Sequence, residues 1–236
     1  QSVTLLQSVT DLPLQIDTSD AKAMESALRR YNGKPLINSV NGKEEVMNDV
    51  FPLAAKYGGV IIALTLDESG IPNNAHDRVE IAKKIIARAA DYGIASKDII
   101  VDCLAMTVSS DSSSALVTLE CLCELTKLGI KTSLGVSNVS FGLPARSIIN
   151  STFFAMALTS GLSAAIMNPH SKEMMSVYYS FCALTDKDPQ CGEYIAYASA
   201  DTEAKSTKTT DKTEFAPDEA LRRAILKGLK DDAALF

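Results

Sequence analysis

Short apolar runs in this sequence repeatedly end in a side chain that carries a carboxylate or an amide. Leu14 to Ile16 is followed by Asp17, Leu36-Ile37 by Asn38, Ile99 to Val101 by Asp102, and Thr132 to Val136 by Ser137-Asn138. Carboxylates accept hydrogen bonds from N–H donors, whereas amides both donate and accept. Groups of this kind bind and orient a ligand. Each has a structural alternative. Asp17 could cap the helix that follows it, although Thr18 and Ser19 would serve equally well. Asn38 could be a turn residue beside Asn41-Gly42. Asp102 precedes the apolar loop Cys103-Leu104-Ala105-Met106, where capping is a poorer explanation. His76 and His170 are isolated and read as surface or capping residues. Cys121-Leu-Cys123 lacks the two-residue spacer and the partner pair of a zinc site, so no metal is expected.

The elements that must hold these residues alternate regularly. Helical patterns run from Asp20 to Tyr31, Glu44 to Tyr57, Ala75 to Tyr92, Ala115 to Leu128, Ala145 to Thr159 and Lys172 to Leu184, and most stop at glycine. Between them lie strand-like runs, including Val60 to Leu66 and Leu162 to Met167. Strand-helix alternation implies a parallel sheet with right-handed crossovers. In a (β/α) barrel, the C-terminal strand ends share one mouth, where chemistry sits. An open doubly wound sheet would also gather them on one edge, but no Gly-x-Gly-x-x-Gly or phosphate loop follows any strand. Gln1 to Thr10 reads as the end of a helix leading into the first visible strand.

Bulk properties narrow the classes further. The 236 residues, 46% hydrophobic and 22% charged, make an ordinary globular composition. A net charge of -6 argues against a duplex-DNA binder, which needs a basic face. No apolar run approaches the roughly 20 residues needed to span a bilayer, and the N-terminus does not read as a signal peptide. The five cysteines, odd in number and mostly inside apolar segments, read as buried free thiols of a cytoplasmic protein. After Asp186 the character changes. Residues 1–200 read as one barrel, residues 201–216 as a solvated linker rich in Lys, Thr, Ser and Asp, and residues 217–236 as an amphipathic helix striped by Leu221, Ile225 and Leu229.

The segment Gly135-Val136-Ser137-Asn138-Val139-Ser140-Phe141-Gly142-Leu143-Pro144-Ala145-Arg146 resembles the signature of methyltetrahydrofolate-dependent corrinoid methyltransferases. Pro13-Leu14-Gln15-Ile16-Asp17-Thr18-Ser19, Leu36-Ile37-Asn38-Ser39, Ile99-Ile100-Val101-Asp102 and Ala164-Ala165-Ile166-Met167-Asn168-Pro169 are similar to other barrel strands of that family, in the same order. The likeness covers about residues 7 to 185 and is greatest to the folate domain of cobalamin-dependent methionine synthases. Ala220 to Ala234 looks like the start of the helical cap that precedes a cobalamin domain.

The resemblance implies an α/β fold of the TIM type, the pterin-binding (dihydropteroate synthase-like) (β/α)8 barrel, here lacking its first two strand-helix units. It implies a methyltransferase that moves the methyl group of 5-methyltetrahydrofolate to Co(I) cobalamin held on another domain or subunit. That carrier is either a cobalamin domain of a methionine synthase or a separate corrinoid iron-sulfur protein. Asp17, Asn38 and Asp102 would hold the pyrimidine edge of the pterin. Asn138 would hydrogen-bond the methyl-bearing nitrogen-5 and act in catalysis, and Arg146 would contact the pterin or the anionic tail of the folate. Dihydropteroate synthases place Ser-Arg-Lys where this chain has Ser137-Asn138-Val139, and the missing basic pair speaks against that rival. A further alternative is a non-catalytic module that binds a pterin or a corrinoid protein. Six of eight strands would leave two apolar sheet edges, from which aggregation, a homodimer, or folate binding weaker than that of a chain extended upstream is expected.

Overall fold

The computed structural model describes residues 2–206, which form one compact unit up to Leu184 and a second beyond it. In chain order the first unit contains α1 (Ser2–Gln7), β1 (Gln15–Asp17), α2 (Ala21–Leu28), β2 (Leu36–Asn41), α3 (Glu44–Tyr57), β3 (Val60–Leu64) and α4 (Ala75–Ala90). It continues with β4 (Ile99–Asp102), α5 (Ser114–Lys127), β5 (Lys131–Gly135), α6 (Arg146–Thr159), β6 (Ala164–Ile166) and α7 (Lys172–Leu184). The six strands form one sheet in the order β1-β2-β3-β4-β5-β6, every pair parallel. Each strand lies beside the next in sequence, as successive strand-helix units require.

Strand burial follows position in the sheet. Ile61, Ile62 and Ala63 of β3 are buried in succession, because side chains that alternate faces are covered on both. At the edges only Ile16 of β1 is buried, and no residue of β6 is. The core is continuous from Met24 of α2 through Phe51 of α3 and Ile85 of α4 to Leu122 of α5 and Phe154 of α6.

Local signals explain the helix limits. Asn74 caps α4 by accepting from the Asp77 N–H at 2.8 Å, and Asp20 caps α2 by accepting from the Lys22 N–H at 2.8 Å. Between α6 and β6 the chain turns at Gly161 with φ +100, and a Cβ there would collide with Thr126. Glu25 of α2 ties α2 to α3 by accepting from Arg29, Lys56 and the Tyr57 hydroxyl. Those three bonds, Arg29 foremost, hold its carboxyl down to about 2.

The second unit contains α8 (Gly192–Ser206), whose first turn is capped by Asp188 accepting from the Glu193 and Tyr194 N–H groups at 3.1 and 3.0 Å. α8 thus runs through the first residues of the segment whose composition reads as a linker. The remainder of that segment and the expected helix over 217–236 lie outside the described residues. No helix among the described residues is long and apolar enough to cross a membrane.

Candidate functional site

The parallel register sets the C-terminal strand ends side by side. Asp17 pairs with Asn38 across β1 and β2, and Asp102 lies between Leu64 of β3 and Ser133 of β5. Between Asn38 and Val40 the β2–β3 register slips by one residue, and the Asn38–Ser39 peptide is cis.

Asp17 and Asn38 form one pair: the Asn38 amide Nδ2 donates to Asp17 Oδ2 at 3.1 Å. Asp17 is exposed and Asn38 half-buried. Neither serves its structural alternative. The cap of α2 is Asp20, and the turn after β2 is made by Asn41, whose Oδ1 accepts from the Lys43 N–H at 3.0 Å. Both residues line a cavity of about 300 Å³ together with Thr18, Ser19, Ser39 and Asp49.

Asp102 is in a different setting. It is 7% exposed, and burial raises its carboxyl from 3.8 to about 6 against the opposing pull of the Leu104 N–H and of Arg78. Its Oδ1 accepts from the Leu104 N–H at 2.8 Å, a local bond two residues on that the apolar loop did not suggest. The loop beyond is supported from both sides. Arg78 of α4 donates through Nη1 to the carbonyls of Cys103 and Leu104 at 2.7 and 2.9 Å, and through Nε to Pro72 at 2.9 Å. From α5, Thr118 donates to Leu104 and Ser114 to Met106.

Asn138 lies in a short 3-10 turn, Val136–Ser140, directly after β5, with its side chain exposed. Gly135 leaves room for that side chain, since a Cβ at 135 would lie 3.0 Å from Asn138 Nδ2. Arg146 at the start of α6 holds the turn, Nε donating to Ser140 Oγ at 2.9 Å and Nη2 to the Ser137 carbonyl at 2.8 Å. Its guanidinium also lies 5.8 Å from the centre of the Phe141 ring. In this structure Arg146 therefore braces the Asn138 turn. The Asp102 and Asn138 loops are themselves joined. The Val108 N–H donates to Val139 at 3.0 Å, and the Thr107 and Ser109 hydroxyls donate to Phe141 at 2.8 and 3.0 Å.

Residues 1–168 match the family described as pterin binding enzyme. The chain belongs to this pterin-binding family. It is 30% identical over 195 residues to a methylcorrinoid:tetrahydrofolate methyltransferase of Eubacterium limosum, a match spanning 80% of this chain and 72% of that protein. It is 30% identical to a methionine synthase of Mycobacterium leprae and 32% identical to one of Mycobacterium tuberculosis, over 73% and 69% of this chain. The chain spans only 15% of the length of either methionine synthase.

Among solved structures, a dihydropteroate synthase of Yersinia pestis superposes with a TM-score of 0.64 at 19% identity, over 78% of this chain and 76% of that one. A 7,8-dihydropteroate synthase of Vibrio fischeri gives 0.62 at 18%, over 79% and 73%. At such identities the likeness concerns the fold: a curled parallel sheet of the pterin-binding barrel type, here with six strands.

Sequence reasoning missed Arg78, which is 2% exposed. A signal was available, because Arg78 falls on the stripe Ala75, Ala82, Ile85 and Ala89 that α4 buries. A charged residue on such a stripe must find buried acceptors. The two histidines are exposed, and Cys103 and Cys121 are the fully buried thiols among five free cysteines.

Proposed function

We propose that this pterin-binding chain binds a reduced folate at the C-terminal strand ends and catalyses methyl exchange between folate nitrogen-5 and a corrinoid. The observation that carries this reading is Asn138: an exposed amide on the turn after β5, given room by Gly135 and braced by Arg146. The names of the relatives, methylcorrinoid:tetrahydrofolate methyltransferase and methionine synthase, support methyl transfer as the chemistry.

In this reading, Asp102 accepts N–H donors from the pyrimidine edge of the pterin, with the Asp17–Asn38 pair fixing the ring beside it. Asp102 Oδ1 is engaged by Leu104, so Oδ2 is the oxygen offered to the ligand. A carboxylate that titrates near 6 is mostly ionised at neutral pH and is a strong acceptor in a dry site. Asn138 meets nitrogen-5, where charge changes during reaction. Its amide donates to the neutral amine and accepts from the protonated one, so it stabilises the change in either direction of transfer. Solvent supplies the proton. The corrinoid, carried by another domain or protein, supplies the cobalt centre that exchanges the methyl group. Next to the Asn138 turn, Phe141 is 67% exposed, an apolar surface that fits the approach of a large macrocycle. Methyl transfer from 5-methyltetrahydrofolate to Co(I) cobalamin is the favoured direction, as a methionine synthase domain would perform it.

The test is a transfer assay on the 236-residue chain with 5-methyltetrahydrofolate and Co(I) cobalamin, read by cobalt absorbance. Chain-dependent methylation is expected. Folate binding without transfer would leave a non-catalytic module. Condensation of a pterin pyrophosphate with an arylamine would favour the dihydropteroate synthase reading.

A further inference from the structure

Arg78 is a buried cation with no carboxylate in contact among the described residues. Its Nε donates to the Pro72 carbonyl and its Nη1 to the carbonyls of Cys103 and Leu104, with the Thr118 hydroxyl at 3.4 Å from Nη1. Burial lowers its pKa, and the Asp102 carboxylate pulls the other way. Lone buried cations are costly and persist where something depends on them. What depends on this one is the backbone immediately after Asp102.

Leu104 adopts φ +59, a left-handed conformation that non-glycine residues seldom occupy. Carbonyls on both sides of its Cα, those of Cys103 and Leu104, are gripped by the same Arg78 Nη1. Holding both peptides in place fixes the Leu104 N–H, which points at Asp102 Oδ1. Thr118 adds a second hold on the Leu104 carbonyl.

We propose that Arg78 is a positioning residue for the pterin site: by clamping the Cys103 and Leu104 carbonyls it keeps the Leu104 N–H on one oxygen of Asp102 and turns the other toward the ligand. The proposal rests on the reading of Asp102 as a pterin ligand. It also has an electrostatic consequence. Arg78 is the cation that opposes the upward shift of the Asp102 carboxyl, and the Cys103 thiol is the other titratable neighbour. The flanking strands present Thr65, whose N–H and hydroxyl donate to the Asp102 carbonyl, and Ser133, neither of which titrates in this range.

The experiment compares Arg78→Met, Asp102→Asn and the double variant with the parent chain. It measures tetrahydrofolate affinity at pH 7.5 and, in the unliganded protein, the Asp102 titration midpoint by carboxyl-carbon NMR. Arg78→Met should weaken binding tenfold or more and raise the Asp102 midpoint by about one pH unit or more. The double variant should bind no worse than Asp102→Asn alone. An unmoved midpoint, or independent losses that multiply in the double variant, would overturn the proposal. If Asp102→Asn alone binds like the parent, the pterin reading fails instead, and the midpoint then decides the role of Arg78 by itself. Should Arg78→Met not fold, Arg78→Lys decides. It keeps the charge but not the planar fork, so a threefold or greater loss supports the clamp and parent affinity refutes it.

Discussion

The two ends of the C-terminal edge of the sheet are built differently. At β1 and β2, Asp17 and Asn38 lie at the margin of the sheet, partnered by each other. At β4 and β5, Asp102 is buried, Arg78 and Thr118 hold the loop after it, and that loop is bonded to the Asn138 turn, which Arg146 braces. A carboxylate at a strand end is thus two different objects depending on what surrounds it. The exposed one is free to adapt, whereas the buried one is oriented before any ligand arrives. In the proposed reading, a carboxylate oriented in advance holds the pterin in one pose while Asn138 meets nitrogen-5, where charge develops.

This contrast can be broken at several points. The largest effect is expected at Asn138. Asn138→Ala should slow single-turnover methyl transfer by roughly two orders of magnitude or more, the scale of losing one oriented donor, while folate binding stays within about tenfold. An unchanged rate at saturating folate would remove Asn138 from the mechanism.

Asp102→Asn should weaken folate binding by about 1–3 kcal/mol, the range for a buried charged hydrogen bond, measured by calorimetry. Asp17→Asn, at the exposed end, should cost less, about 1 kcal/mol or below. Equal losses at both would erase the contrast.

Asp102 also predicts a dependence of stability on pH. Its folded-state value, about 6, lies above the ordinary 3.8, so the folded protein holds this proton more tightly than the unfolded chain does. The group therefore costs nothing at pH below about 4, costs progressively more as pH rises to about 6, and costs a constant amount above that. Relative to Asp102→Asn, the parent should lose on the order of 3 kcal/mol of stability between pH 4 and pH 7. Urea denaturation at several pH values would show it, and parallel curves for the two proteins would contradict it. Folate affinity should move the opposite way, falling as pH drops through about 6.

A modest effect is expected at Gly135. Its φ suits any residue, and the constraint is space, a Cβ lying 3.0 Å from Asn138 Nδ2. Gly135→Ala should slow transfer by roughly threefold to tenfold through displacement of Asn138, with melting temperature unchanged.

Much of the frame was legible beforehand. The helices Glu44–Tyr57 and Lys172–Leu184 run between the residues that periodicity picks out, because apolar spacing and glycine stops act locally. The strand ends carrying Asp17 and Asp102 were legible for the same reason, whereas β2 runs past Asn38 to Asn41 and β5 stops at Gly135, which leaves Asn138 in the turn beyond it. Their inequality was not. Burial of Asp102 comes from α4 and α5 closing over its loop, and no local pattern encodes which strand end will be covered. The role of Arg146 was hidden similarly, since its partners Ser137 and Ser140 become neighbours only when the turn after β5 forms. Arg78 was overlooked because the carbonyls that enclose it come from Pro72 and from the loop after β4, which only the fold brings to that face of α4.

In the proposed reading one reduced folate spans both ends of this edge. Titrating the 236-residue chain with 5-methyltetrahydrofolate while recording NMR signals from Asp17, Asn38, Asp102 and Asn138 tests it most directly. All four should shift with a single dissociation constant. Response at only one end, or two different constants, would contradict the account.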